Sequence, residues 1–221
     1  MKLAIYNFSP KREKSNTAVL LNYFIKGYVE NKENTYNLYY PYDESHREEF
    51  LKNIVANENN LIAFPLYFCS MPGIVKRFIE YLDELDVPPV KPSIGFLIQY
   101  GFLERYHAEP LENYLRKITK RLKFNYLGSI ILPGSEGVGK ETCHFAKSNL
   151  CTTYQIGRKF GKIGKFDDRL LRNICMLYQN PLFFNLIIKR FVAWYVNKFY
   201  WNELLKKEGT LKDSFQQPYY T

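Results

Sequence analysis

The chain has little of what builds metal or disulfide sites. Four Cys (Cys69, Cys143, Cys151, Cys175) stand in 221 residues, at long, irregular spacings and with no CxxC. Zinc and iron–sulfur sites need closely spaced thiolates, so neither is signalled. A chain of this length does not need disulfides, and reduced thiols fit a cytoplasmic protein. The three His (His46, His107, His144) form no evident ligand set, so no metal is expected. His107 reads as a surface residue near a helix start. No run of 18 uncharged apolar residues exists, which excludes an ordinary transmembrane helix. Met1 to Ile5 runs straight into a strand pattern and lacks the apolar core of a signal peptide. No long Lys/Arg block exists either. The net charge of +9 is spread over short clusters such as Lys11-Arg12-Glu13-Lys14 and Arg158-Lys159. Such scatter gives a general field for anions, not specific nucleic-acid recognition.

What is present is globular composition, 46% hydrophobic and 24% charged, with an unusual 17% of aromatic residues. Aromatics suit a flat ligand, a bulky core or an oligomer interface equally well. Short apolar runs alternate with amphipathic stretches. Strands are expected at Lys2–Asn7, Tyr36–Tyr40, Asn60–Pro65, Ser93–Gln99 and Tyr126–Leu132. Helices are expected at Ser15–Val29, Glu44–Ala56, Met71–Leu85, Glu109–Leu122 and Phe145–Phe160, the first capped by Ser15 or Asn16. Five β–α alternations specify an α/β fold, an open doubly wound five-stranded parallel sheet covered by helices on both faces. Ligands of such sheets bind at the carboxyl ends of the strands.

The regular unit spans residues 1–160. Residues 161–221 read as a helical C-terminal extension, with helices at Asp167–Tyr178 and Leu182–Lys207 separated at Pro181. In the second, Phe183, Phe184, Ile187, Ile188, Phe191, Trp194, Tyr195 and Phe199 share a broad apolar face, broken by Lys198. That face could meet a membrane surface peripherally, bury against a second copy in a homo-oligomer, or pack on its own domain.

Three loops at the carboxyl edge could carry chemistry. After the first strand, Ser9, Ser15, Asn16 and Thr17 offer hydroxyls and amides, Lys11, Arg12 and Lys14 offer cations, and the loop ends at a helix N-terminus. That is the make-up of a phosphate cradle that does not rely on glycine. It is equally the make-up of a polar loop with an ordinary cap. After the third strand, Pro65 to Gly73 brings apolar walls beside backbone amides. After the fourth, Gln99-Tyr100-Gly101-Phe102 offers a ring and a close backbone approach. Gly134-Ser135-Glu136-Gly137-Val138-Gly139-Lys140-Glu141 nearly matches a nucleotide P-loop. It lacks the Ser or Thr directly after Lys that would hold magnesium.

Ser9-Pro10-Lys11 with Ser15-Asn16-Thr17, followed by Pro65-Leu66-Tyr67-Phe68 and Ser70-Met71-Pro72-Gly73, resembles the NAD(P)H-dependent FMN reductases and related flavodoxin-like oxidoreductases. The resemblance covers about residues 1–160. It implies a flavodoxin-like fold and FMN, with NAD(P)H as electron donor. Ser9, Lys11, Ser15, Asn16 and Thr17 would hold the phosphate. Pro65, Leu66, Tyr67, Phe68, Ser70 and Met71 would line the ring, and Gln99, Tyr100 and Gly101 would close its pyrimidine side. Electrons would pass to a small-molecule or protein acceptor such as a quinone, a nitro compound or a flavin. The cofactor carries the redox step, so no catalytic side chain is named. An electron carrier of the flavodoxin type is the alternative; such carriers are usually acidic, and +9 argues against it. The sequence departs from the family at Phe8, where glycine is usual, and Phe8 is expected to narrow the approach to the phosphate.

Overall fold

A computed structural model describes residues 1–42, 46–139, 144–167, 169–171, 190–191, 193–195 and 197–213. Strands β1 (Lys2–Asn7), β2 (Thr35–Tyr39), β3 (Asn59–Pro65), β4 (Ser93–Gln99) and β5 (Asn125–Leu132) alternate with helices α1 (Asn16–Tyr28), α2 (Arg47–Ala56), α3 (Gly73–Leu82), α4 (Glu109–Arg121) and α5 (His144–Ile163). All neighbouring pairs are parallel, in the order β2-β1-β3-β4-β5. This is the open, doubly wound sheet of flavodoxin-like proteins.

The apolar runs have a simple cause. Successive strand side chains point to opposite faces, and both faces are covered. In β1, Ala4 and Tyr6 join the layer with Phe64, Val75, Phe78, Ile98 and Leu115, while Leu3 and Ile5 join the layer with Leu20, Phe24, Leu97 and Phe160. The first layer is closed by α2, α3 and α4, the second by α1 and α5. Three glycines let α1 and α5 approach backbone to backbone. A Cβ on Gly27 would lie 2.2 Å from the Tyr154 carbonyl oxygen. One on Gly157 would lie 2.0 Å from that of Phe24, and one on Gly161 would lie 2.6 Å from that of Tyr28. At the other edge, the β4–β5 register shifts between Ile94 and Gly95, opposite Gly128 at φ +123°. The Phe166 ring lies over both glycines.

The chain divides into two compact units, Met1–Tyr178 and Gln179–Thr221. The first therefore runs past the α5 boundary and includes the buried Phe166. In the second, the described residues of the expected long helix do not form one regular α-helix. Asn197–Trp201 is a π-helical turn that leads into a helix at Asn202–Lys207. One extra residue per turn there rotates the following side chains relative to the preceding ones. Phe191 and Trp194 are 5.8 Å apart, Tyr195 and Phe199 are 4.8 Å apart, and the Lys198 ammonium lies over the Trp194 ring. The expected helix segments at 172–189 lie outside the described residues. Among the described residues, no helix is long and apolar enough to cross a membrane.

Candidate functional site

The loops after β1, β3, β4 and β5 meet at the carboxyl edge of the sheet. The first is held by Asn7, a buried residue at the end of β1 that the sequence reading passed over. Its Oδ1 accepts from the Ser9 amide at 3.0 Å, and its Nδ2 donates to the Arg12 carbonyl at 3.5 Å. A 3-10 turn over Arg12–Lys14 follows, with Arg12 in the left-handed region at φ +47°. Ser15, not Asn16, caps α1. Its Oγ accepts from the Ala18 amide at 3.0 Å and donates to the Arg12 carbonyl at 2.5 Å. A serine hydroxyl has one proton, so the Ser15 proton is already committed. The amides of Asn16 and Thr17 open α1 and have no intrahelical acceptor. Lys11, Arg12 and Lys14 are exposed beside them. This donor set fits an anion of the phosphate class.

Phe8 does not narrow that loop. Its ring is fully buried and packs 4.9 Å from Phe78 of α3. The side chain points into the layer beneath α2 and α3, away from the α1 side of the sheet. A side chain in place of glycine is accommodated because a strand-end residue facing the core needs no clearance above the loop.

The second loop is tied to the first through β4. The Leu66 amide donates to the Gln99 carbonyl at 2.9 Å, and Gln99 Nε2 donates to Thr17 Oγ1 at 3.3 Å. Gln99 and Thr17 are thereby brought together from positions far apart in the chain, and both are buried. Pro65 lies buried within β3, and Leu66 and Met71 are half-buried against the core. Tyr67-Phe68-Cys69-Ser70 forms a tight turn closed by two 2.9 Å bonds between Tyr67 and Ser70. Its central residues, Phe68 (φ +47°) and Cys69 (φ +59°), both take a conformation that normally selects Asn or Gly. The turn leaves Phe68 fully exposed. Ser70 is exposed as well.

Tyr100 departs from the expected place against a ring. It is buried in the core, and its hydroxyl donates to the Glu104 carbonyl at 3.1 Å. Gly101 is exposed, and a Cβ there would meet Glu136 at an ordinary 3.5 Å. The near P-loop has a structural use up to Gly139. Ser135 is fully buried, donates to the Leu132 carbonyl and accepts from Asn149 Nδ2. Residues 140–143 lie outside the described residues.

A separate cavity of about 340 Å³ lies between the β2 end, α2 and α3, lined by Phe8, Tyr42, Arg47, Ile74, Arg77 and Tyr81 among others. None of the fourteen residues expected at the ligand site lines it. Arg47 stacks on Tyr81 and pairs with Glu84. Among the described residues, the buried Tyr42 hydroxyl has no hydrogen-bond partner. Burial first, then the neighbouring Tyr67, raises its pKa, and the Arg12 guanidinium works the other way.

Sequence reasoning missed one further grouping. Cys69 Sγ lies 3.5 Å from His107 Nδ1, and His107 Nε2 lies 3.9 Å from Glu104 Oε2. Thirty-eight positions separate the cysteine from the histidine. The only sequence signal was that each follows a strand on the same sheet edge.

The fold is that of a flavodoxin-like α/β protein, with the carboxyl ends of β1, β3 and β4 at one edge of the sheet. Solved structures share that fold at low sequence identity. An NADH:FMN oxidoreductase in its apo form matches with a TM-score of 0.54 and 17% identity, over 72% of this chain and 88% of that one. The NAD(P)H:quinone oxidoreductase of Methanothermobacter marburgensis matches with a TM-score of 0.54 and 17% identity, over 72% and 98%. An azoreductase from Bacillus anthracis matches with a TM-score of 0.51 and 13% identity, over 72% and 100%. No family model and no curated protein matches the sequence.

Proposed function

We propose that the chain is an FMN-dependent oxidoreductase that takes electrons from NAD(P)H and passes them to a small-molecule or protein acceptor. The observation that carries this reading is a convergence at one sheet edge. Amides at the α1 N-terminus that lack an intrahelical acceptor, three nearby cations and the aromatic turn at 67–70 lie where doubly wound sheets bind their ligands. The names of the similar structures, which include FMN and quinone oxidoreductases, support it.

When bound, FMN would supply the hydride and electron chemistry. The chain's own part is placement. The amides of Asn16 and Thr17, with the Thr17 hydroxyl, would hold the phosphate. Lys11 and its neighbouring cations would neutralise it, while Ser9 and Ser15 shape the loop. Tyr67, Phe68 and Met71 would flank the ring, with Leu66, Ser70 and Gly101 at its rim. Pro65 and Tyr100 would support that wall from the core, and Gln99 would fix Thr17.

An absorbance scan of the purified protein, followed by an FMN titration read by flavin fluorescence, tests this. Flavin bands or a micromolar Kd are expected. Thr17→Val should weaken FMN about tenfold, the loss of one hydrogen bond to a charged group, and leave riboflavin unaffected. A colourless protein that also fails to bind added FMN would refute the reading. Steady-state NAD(P)H oxidation separates an enzyme from an electron carrier.

A further inference from the structure

We propose that Cys69 is a nucleophilic modification site for flat α,β-unsaturated carbonyl compounds, with His107 as its base and an aromatic platform as its binding surface. The inference does not depend on a bound flavin.

Nucleophilic side chains are recognised by a base within reach and by a third group that orients the base. Cys69 supplies the thiol, and His107 Nδ1 stands 3.5 Å from its sulfur. Glu104 stands on the opposite side of the imidazole, 3.9 Å from Nε2. A carboxylate there favours the tautomer with hydrogen on Nε2, which leaves the Nδ1 lone pair facing the thiol. Cys69 is exposed. The thiol stands on the left-handed turn at Phe68-Cys69, next to His107, which precedes α4 by two residues.

The surroundings decide the class of partner. Phe102 and Tyr106 lie 4.9 and 4.3 Å from the His107 ring and are 68% and 58% exposed. Phe68, the residue before Cys69, is fully exposed. Exposed aromatic surface around a nucleophile is the setting for a planar conjugated molecule. The chemistry balances without a further reactant. Cys69 sulfur bonds to the β-carbon, the C=C π electrons move toward the carbonyl, and the thiol proton passes through His107 to the resulting enolate. The product is a thioether, with no net oxidation or reduction.

The test uses the full chain without added nicotinamide. N-phenylmaleimide is the flat conjugated probe and iodoacetamide the saturated one, with labelling at each cysteine followed by peptide mass spectrometry. Cys151, exposed on α5, is the internal comparison. At pH 7, N-phenylmaleimide should label Cys69 about tenfold or more faster than Cys151. His107→Gln should lower the Cys69 rate by about tenfold. Phe102→Ala should slow N-phenylmaleimide but not iodoacetamide. Equal rates at Cys69 and Cys151, or an unchanged rate in His107→Gln, would overturn the nucleophile–base pair. An equal effect of Phe102→Ala on both reagents would overturn the flat class. The Cys69 to Cys151 comparison needs no substitution, so it decides even where a variant fails to fold. Failure here leaves FMN binding untouched, and the FMN titration tests that separately.

Discussion

Gly157→Ala is the sharpest test of how this fold is held. The added methyl would sit 2.0 Å from the Phe24 carbonyl oxygen, and the Phe24 carbonyl carbon lies at 2.8 Å. Real Cβ atoms essentially never come within 3.0 Å of another heavy atom. The obstacle is backbone, so no side chain can swing aside. Helices α1 and α5 would have to part by about 1 Å to restore that limit. Parting them opens the layer in which Leu20, Leu21, Phe24, Ile156 and Phe160 are almost wholly buried. A gap of that size forfeits much of the dispersion energy along the seam. The expected cost is about 3 kcal/mol or more, at the upper end of overpacking effects. That is a large share of the ~5–15 kcal/mol that holds a typical domain. Urea unfolding at fixed pH measures it, as a lowered midpoint with an unchanged slope. Gly73→Ala is the control, because nothing lies within 4 Å of its Cβ position. Its stability should hold or rise by up to about 1 kcal/mol. A Gly157→Ala loss below about 1 kcal/mol would refute the backbone-to-backbone account of the α1–α5 seam.

Two further outcomes follow from buried polar groups. Asn60 is fully buried, and the two protons of its Nδ2 are shared among the carbonyls of Ile54, Asn57 and Ser93 at 3.0–3.3 Å. Asn60→Ala strands those acceptors between α2 and the sheet and should cost about 2 kcal/mol in the same unfolding assay. Tyr28 is also fully buried, and burial pushes its hydroxyl up to about 12. The fold favours the neutral hydroxyl, so its contribution is complete below the ordinary tyrosine value near 10. It is lost as pH rises through about 12. Stability should therefore fall across that window, and Tyr28→Phe, though weaker at neutral pH, should fall less steeply there. Parallel slopes for the two proteins would remove Tyr28 as the cause.

The architecture was legible in the sequence because its signals are local. Continuous apolar runs such as Leu61 to Phe64 are what a doubly covered strand requires, and Ser15 announces a helix start by its own chemistry. The loop between β1 and α1 was legible for the same reason, since a strand end and a helix start bracket it within ten residues. The rest depends on which side of the sheet a residue faces and on what arrives there from elsewhere. Phe8 looked like an obstruction above the loop, and strand pleat turned it into core. Tyr100 looked like a wall for a ring, and its hydroxyl found the Glu104 carbonyl instead. The apolar face expected near Trp194 and Phe199 is cut by a π-helical turn that no periodicity rule anticipates.

By itself, the sequence determined the number of strands and their parallel character. Those follow from alternation and capping, which are read within a few residues. Only the tertiary structure decided that Gly27, Gly157 and Gly161 form one seam, that Gln99 meets Thr17, and that Cys69 stands beside His107. Each of those depends on where crossover connections return the chain, and contact across a sheet edge leaves no mark in the spacing of the residues that make it.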